Sequence, residues 1–156
     1  MNIIQKDWPW AGQLEMRTKT LYIVVHHTDG PQDQDVDEIF QEHLDEGWIG
    51  IGYHRVIKGD GTTVQGRPDD TIGAHALGVN ECSVGIALEG DFQSTESQET
   101  PTDAQISALK DNISDLLAKY PNAQIIAHED VAAIVDDPSV ATLCPGDSLY
   151  KLLPDI

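Results

Sequence analysis

The chain has 156 residues, which is enough for one domain with its own core. Its 27 acidic and 9 basic residues give a formal charge of −18, which argues against binding to nucleic-acid phosphates or to anionic membranes. The longest apolar runs have about five residues, far fewer than the roughly twenty that cross a bilayer, and residues 1–7 lack the apolar centre of a signal peptide. We predict a single domain over 1–156, with a core at about 20–153, that does not direct its own export.

The first half of the chain predicts a strand, a helix and a hairpin. Leu21–His27 is a run rich in β-branched residues, as in a buried strand. Asp35–Glu46 has apolar residues at helical spacing and acidic residues at its start, and Gly47 can end that helix. Tyr53–Lys58 and Thr62–Gln65 flank a Gly-Asp-Gly turn, which indicates a β-hairpin.

The second half begins with another buried strand and a long helix. Cys82–Leu88 is largely apolar, and in this run Cys82 is expected to be a small buried residue rather than a disulfide partner. Thr102 and Gln105 form the sequence pattern of a capping box, so we expect a helix to start there and to end at Pro121.

Two shorter elements complete the pattern. Ala123–Ala127 predicts a third strand, and Asp147–Leu153 predicts a short terminal helix. The polar segment Phe92–Pro101 is expected to be an exposed loop within the domain. Strands interleaved with helices indicate an α/β fold with a mixed central β-sheet flanked by helices.

Three residues of types that bind zinc stand at the ends of apolar runs or in a Pro-Gly loop: His26, His128 and Cys144. A single histidine at a strand end is more often structural than a ligand. Two imidazoles and one thiolate, however, would leave one position of a tetrahedral zinc ion open for water, as in catalytic sites. Such an ion would bring the pKa of that water to about 7.

Six segments, in order, resemble one family: the zinc-dependent N-acetylmuramoyl-L-alanine amidases of the type shared by T7 lysozyme, phage and bacterial cell-wall amidases and animal peptidoglycan recognition proteins. The resemblance extends from Tyr22 to about Leu149. The segments are Ile23–Thr28, Gly52–Gly61, Gln65–Pro68, Gly73–Asn80, Ser83–Ile86, and Ala127–Glu129 together with Thr142–Asp147.

The resemblance implies roles for particular residues. His26, His128 and Cys144 match the zinc ligands, and members that bind peptidoglycan without cutting it typically lack the cysteine. Tyr53 matches the catalytic tyrosine, and Thr142 stands where relatives carry Lys or Thr. Neutral hydroxyl donors such as these can orient water and stabilise an oxyanion, at about 3 kcal/mol per well-placed donor.

The resemblance also suggests substrate contacts and leaves one role open. It places His75 on the substrate cleft, and Asn80 and Arg67 are candidate partners for the acidic stem peptide. Some relatives carry a glutamate where this chain has Ala87, which leaves the general base unidentified. His27 follows the first ligand on the same strand, so its side chain should point to the opposite face.

The function that the resemblance implies is hydrolysis of the amide bond between N-acetylmuramic acid and L-alanine in bacterial peptidoglycan. A monomeric phage or prophage endolysin is expected, cytoplasmic until it is released onto the cell wall, with Zn²⁺ as its cofactor. Two alternatives remain at this point: a module that binds muropeptides without cutting them, and a regulatory partner, since T7 lysozyme also inhibits its phage's RNA polymerase.

Overall fold

The fold is built on a six-stranded mixed sheet, seen in a computed structural model that describes residues 1–93 and 99–156. The strands are β1 (Ile3–Ile4), β2 (Tyr22–His27), β3 (Arg55–Ile57), β4 (Thr63–Gln65), β5 (Ser83–Leu88) and β6 (Gln124–Ala127). The helices are α1 (Val36–Asp45), α2 (Asp103–Lys119), α3 (Val131–Ile134) and α4 (Asp147–Tyr150). In the sheet the strands follow the order β1-β4-β3-β5-β2-β6; β3 and β4 are antiparallel, and the other neighbours are parallel.

The two long helices begin at capping residues visible in the sequence. The Asp35 side chain accepts a hydrogen bond from the Asp37 amide at the start of α1. Thr102 and Gln105 form the predicted reciprocal capping box at the start of α2. The antiparallel pairing of β3 and β4 confirms the hairpin.

The two faces of the sheet carry separate parts of the core. Ile23 and Val25 of β2 pack in the cluster that includes Leu109 and Leu116 of α2. Val24, between them, lies on the opposite face in a smaller cluster with Val131. His26 therefore shares the Val24 face, which α2 does not cover.

Most of the predicted elements are confirmed, with shorter strands than expected. Cys82 is a correction: it ends a 3₁₀ turn over Asn80–Cys82, and it is half-buried. Both Cys82 and Cys144 are free thiols. Part of the loop predicted over Phe92–Pro101, residues 94–98, lies outside the described residues. In the part of the chain that the structure describes, each helix is too short or too polar to pass through a lipid bilayer.

Candidate active site

Parallel pairing of β2 with β6 brings the two predicted histidine ligands together. Val25 lies opposite Ala127 in the register, so the residues that follow, His26 and His128, meet at the carboxyl edge of the sheet. Their ring centroids are 4.6 Å apart. They line a cleft of about 480 Å³ that the 141–146 loop closes on one side with Cys144.

The ligand atoms of His26, His128 and Cys144 lie within 4.8 Å of one another. His26 Nδ1 is 3.7 Å from Cys144 Sγ. Ordinary Zn–N and Zn–S bonds at a tetrahedral angle would separate these two atoms by about 3.6 Å. The spacing thus matches a shared metal ion.

The surroundings of these atoms also suit a metal. His128 Nδ1 is buried and has no hydrogen-bond partner among the described residues, an arrangement that is costly unless a ligand uses its lone pair. Burial lowers the pKa of His128 to about 4 and that of His26 well below its ordinary value, so both rings are neutral and able to coordinate.

Burial raises the pKa of the Cys144 thiol to about 12. The amide of His27, 3.4 Å from Sγ, opposes this rise because an N–H donor favours the thiolate. A cation bound beside Sγ would favour the thiolate far more. The donor set therefore fits a zinc-type ion.

The two hydroxyl groups predicted to be catalytic also border the cleft. The ring of Tyr53 lies 5.3 Å from that of His26, and burial raises the pKa of its phenol, so the group is a neutral donor. Thr142 Oγ1 accepts a bond from the Cys144 amide at 3.3 Å, which leaves its proton available to another acceptor.

The three predicted substrate contacts have different positions. His75 lines the cleft, although it is buried and its Nδ1 is 2.8 Å from His26 Nε2. Asn80 Oδ1 accepts bonds from the amides of His75 and Ala76. Arg67 is buried and donates to the carbonyl oxygens of Ile51 and Ile72. Neither Asn80 nor Arg67 is among the described residues that line the cleft.

His27 points away from the ligand group, as expected, toward Phe92, whose amide donates to His27 Nδ1. His27 also lies near Asp29 and Asp91, a second cluster of possible metal ligands. Because Nδ1 accepts a bond from the amide, the neutral ring carries its proton on Nε2 and has no lone pair left for a metal. This cluster does not present the donor set of a metal site.

Several cleft residues were missed by sequence reasoning. His43 accepts a bond from the Gly52 amide and contacts the rings of Trp48 and Tyr53. Trp48 and Leu143 form part of the cleft wall, and both are exposed. Leu143 could have been found from its place between Thr142 and Cys144; no local signal marks Trp48 or His43.

The cleft wall is acidic. Asp29, Glu42 and Glu46 line it, and none of the described lining residues is a lysine or an arginine. Carboxylates of a substrate would therefore be held by neutral donors rather than by ion pairs.

The fold and cleft define an α/β domain with a His-His-Cys group that could hold a metal, beside hydroxyl donors, an arrangement typical of metal-assisted hydrolases. Comparison with known proteins gives the family. The N-acetylmuramoyl-L-alanine amidase family model matches residues 16–147. The endolysin of Escherichia phage T7 is 40% identical over 125 residues, 77% of this chain and 82% of that protein. The endolysin of Klebsiella phage KP32 is 39% identical over 123 residues, with the same coverage of 77% and 82%.

Solved structures agree with this result. The amidase LysC from Clostridium intestinale has a TM-score of 0.85 at 32% identity, covering 100% of this chain and 99% of that one. Drosophila PGRP-LB has a TM-score of 0.80 at 28% identity, covering 97% and 92%. The chain belongs to the N-acetylmuramoyl-L-alanine amidase family, and it is a peptidoglycan amidase.

Proposed function

We propose that this amidase is zinc-dependent, with His26, His128 and Cys144 as the ligands. The observation that carries the proposal is the convergence of their ligand atoms to within 4.8 Å, with His128 Nδ1 buried and unpaired within residues 1–93 and 99–156. When bound, zinc would supply a Lewis acid that polarises the scissile carbonyl and acidifies a water molecule. Replacement of any one of these three side chains by alanine should therefore remove both the bound metal and the activity.

We assign Tyr53 and Thr142 to stabilisation of the negative charge that develops on the carbonyl oxygen of the scissile amide. Both hydroxyls border the cleft beside the ligand group, and the phenol of Tyr53 stays neutral because burial raises its pKa. Each can donate a hydrogen bond to the carbonyl oxygen of the scissile amide as it gains negative charge.

No carboxylate takes the role of base at the strand position next to His26. That position is Ala87, which pairs with His26 in the register and is fully buried. We assign the orientation of the attacking water to Tyr53, whose ring lies 5.3 Å from that of His26.

The substrate is the bond between the lactyl group of N-acetylmuramic acid and L-alanine of the stem peptide. His75 reaches the cleft surface and remains a candidate contact. The contacts of Arg67 and Asn80 support structural roles, so neither is assigned to the stem peptide here. The phage endolysin relatives support an endolysin role. We further propose that the protein is monomeric, is held in the cytoplasm until it reaches the wall, and has no nucleic-acid partner.

Digestion of purified peptidoglycan tests the reaction. The expected products carry new L-alanine amino termini and no new reducing sugar ends; reducing ends would show a glycosidase and contradict the proposal. Mass spectra of the released peptides identify the bond that is cut.

Metal analysis separates the enzyme from a binding module. The wild type should hold one zinc per chain, and Cys144→Ala should lose both zinc and activity. Ser139→Ala is a matched control, because that exposed hydroxyl donates to Asp137 on the surface and does not line the cleft. A chain that binds muropeptides equally well with and without zinc, and releases no L-alanine termini, would be a binder.

A further inference from the structure

A continuous chain of polar groups ends at the metal-binding ring of His26. His26 Nε2 is 2.8 Å from His75 Nδ1, and both side chains are buried. The other nitrogen of His75, Nε2, is 3.3 Å from Ser83 Oγ. Ser83 Oγ is in turn 2.6 Å from the carbonyl oxygen of Val79.

The carbonyl at the far end fixes the direction of every hydrogen bond in this chain. A carbonyl oxygen can only accept, so the single hydroxyl proton of Ser83 is donated to Val79. Ser83 Oγ must then accept the Nε2 proton of His75. A neutral imidazole has one proton, so His75 Nδ1 accepts from His26 Nε2. His26 Nδ1 is left with a lone pair, and this atom faces Cys144 Sγ at 3.7 Å.

The backbone around His75 is shaped to hold the ring in this place. A Cβ atom added at Gly85 would lie 2.6 Å from His75 Cγ and Nδ1, and one at Gly73 would lie 2.6 Å from His75 Cδ2. The ring thus occupies space that two glycines leave open. Asn80 Oδ1 fixes the adjoining backbone by accepting from the amides of His75 and Ala76, at 2.9 and 2.8 Å.

We propose that His75 is a positioning residue that holds His26 in the tautomer and orientation required for metal binding through Nδ1. Ser83 is the fixed end of this chain of hydrogen bonds. The inference rests on the proposed zinc site. It assigns His75 a role beyond contact with substrate. Groups that accept the second N–H of a ligating histidine typically change metal affinity or activity 10- to 100-fold when they are removed.

Zinc affinity, measured by competition with a chromophoric chelator, tests the proposal without an activity assay. His75→Ala should weaken zinc binding 10- to 100-fold while the stoichiometry at saturation remains one per chain. Thr63→Val is the matched control: it removes a buried hydroxyl on β4 that accepts a hydrogen bond from Asn112. This hydroxyl lies outside the chain of hydrogen bonds that ends at His26. It should destabilise the fold and leave zinc affinity unchanged. A His75→Ala protein with wild-type zinc affinity and a raised KM would overturn the proposal in favour of substrate contact.

Ser83→Ala keeps the test valid if His75→Ala does not fold. It leaves both imidazoles in place, and zinc binding should weaken about 3- to 10-fold, since the His75 Nε2 proton loses its acceptor. Unchanged zinc affinity would contradict the direction assigned to the hydrogen bonds between His26, His75 and Ser83.

Long-range ¹H–¹⁵N NMR reads the tautomers directly in zinc-free wild-type protein. Both His26 and His75 should carry their protons on Nε2; a proton on His75 Nδ1 would overturn the proposal. A wild type that shows these tautomers but binds no zinc would instead refute the proposed function, so the two failures are distinguishable.

Discussion

Replacing Gly85 with alanine should damage the zinc site from a position on β5 that contributes no ligand. Glycine itself weakens a strand interior, so the backbone does not resist the change and the effect comes from the new methyl group, which would lie 2.6 Å from His75 Cγ and Nδ1. Carbon atoms in ordinary contact are about 3.5 to 4.0 Å apart. The ring must therefore move by about 1 Å, a displacement large enough to disrupt the geometry of the present 2.8 Å contact with His26 Nε2.

The expected cost follows from these two changes. Overpacking of a rigid interior costs about 1 to 3 kcal/mol, and loss of one buried hydrogen bond about 1 kcal/mol more. We expect Gly85→Ala to lower the free energy of unfolding by about 2 to 4 kcal/mol, measured by urea denaturation, and to weaken zinc binding about 10- to 100-fold.

A double-mutant cycle isolates the cause. If the methyl group acts through the His75 ring, Gly85→Ala should cost much less in a His75→Ala background. Gly30→Ala is the matched control, since its methyl group would meet only the movable end of the Gln34 side chain, at 2.9 Å. Equal costs of Gly85→Ala in both backgrounds would refute the steric argument.

Three further outcomes are expected. Arg55→Met should lower the free energy of unfolding, measured by urea denaturation, by about 1.5 to 3 kcal/mol without altering zinc affinity. Arg55 is fully buried, and its loss removes its ion pair with Asp69 while Lys119 still pairs with that carboxylate; a loss under 1 kcal/mol would contradict this. Burial raises the pKa of Glu89 from 4.5 to about 7 against the opposing charge of Lys58, so the contribution of the protonated Glu89 to stability is complete below pH 4.5 and is lost as pH rises through 7. The loss is up to about 3 kcal/mol. The difference in free energy of unfolding between wild type and Glu89→Gln should therefore change across that pH window, and a constant difference would exclude the effect. Tyr53→Phe should reduce kcat about 100- to 1000-fold with zinc affinity unchanged, and a rate within threefold of wild type would remove Tyr53 from the mechanism.

Local sequence signals were sufficient for most of the fold. The start of α2 is determined by side chains within four residues of one another, Thr102 and Gln105, so the capping box was readable without tertiary information. The edge strand Ile3–Ile4 was missed, because two residues paired in parallel with distant β4 carry no periodicity of their own. Strand ends shifted for the same reason: pairing partners, rather than composition, determine where a ladder stops.

The site was predictable to the extent that strand ends determine it. His26 and His128 each follow an apolar run, and parallel strands place such residues at one edge, so their meeting could be expected. The position of Cys144 could be inferred only from the family resemblance, because an irregular loop carries it across the sheet. Arg67 shows the opposite limit: a cation in a Gly-Arg-Pro loop suggests a ligand contact, yet the two carbonyl oxygens that it bonds to come from residues 16 and 5 positions away in sequence.

His75 shows why a binding residue and a positioning residue are hard to tell apart in sequence. Both types occur in loops beside ligands, and both can border a cleft, as His75 does. The difference lies in what the second ring nitrogen contacts, here a serine eight residues away whose own proton is committed to a backbone carbonyl. Because Ser83 Oγ accepts the Nε2 proton of His75, the ring has no free proton to offer a substrate. Its remaining role is to support His26, so removal of the His75 ring should measurably lower zinc affinity.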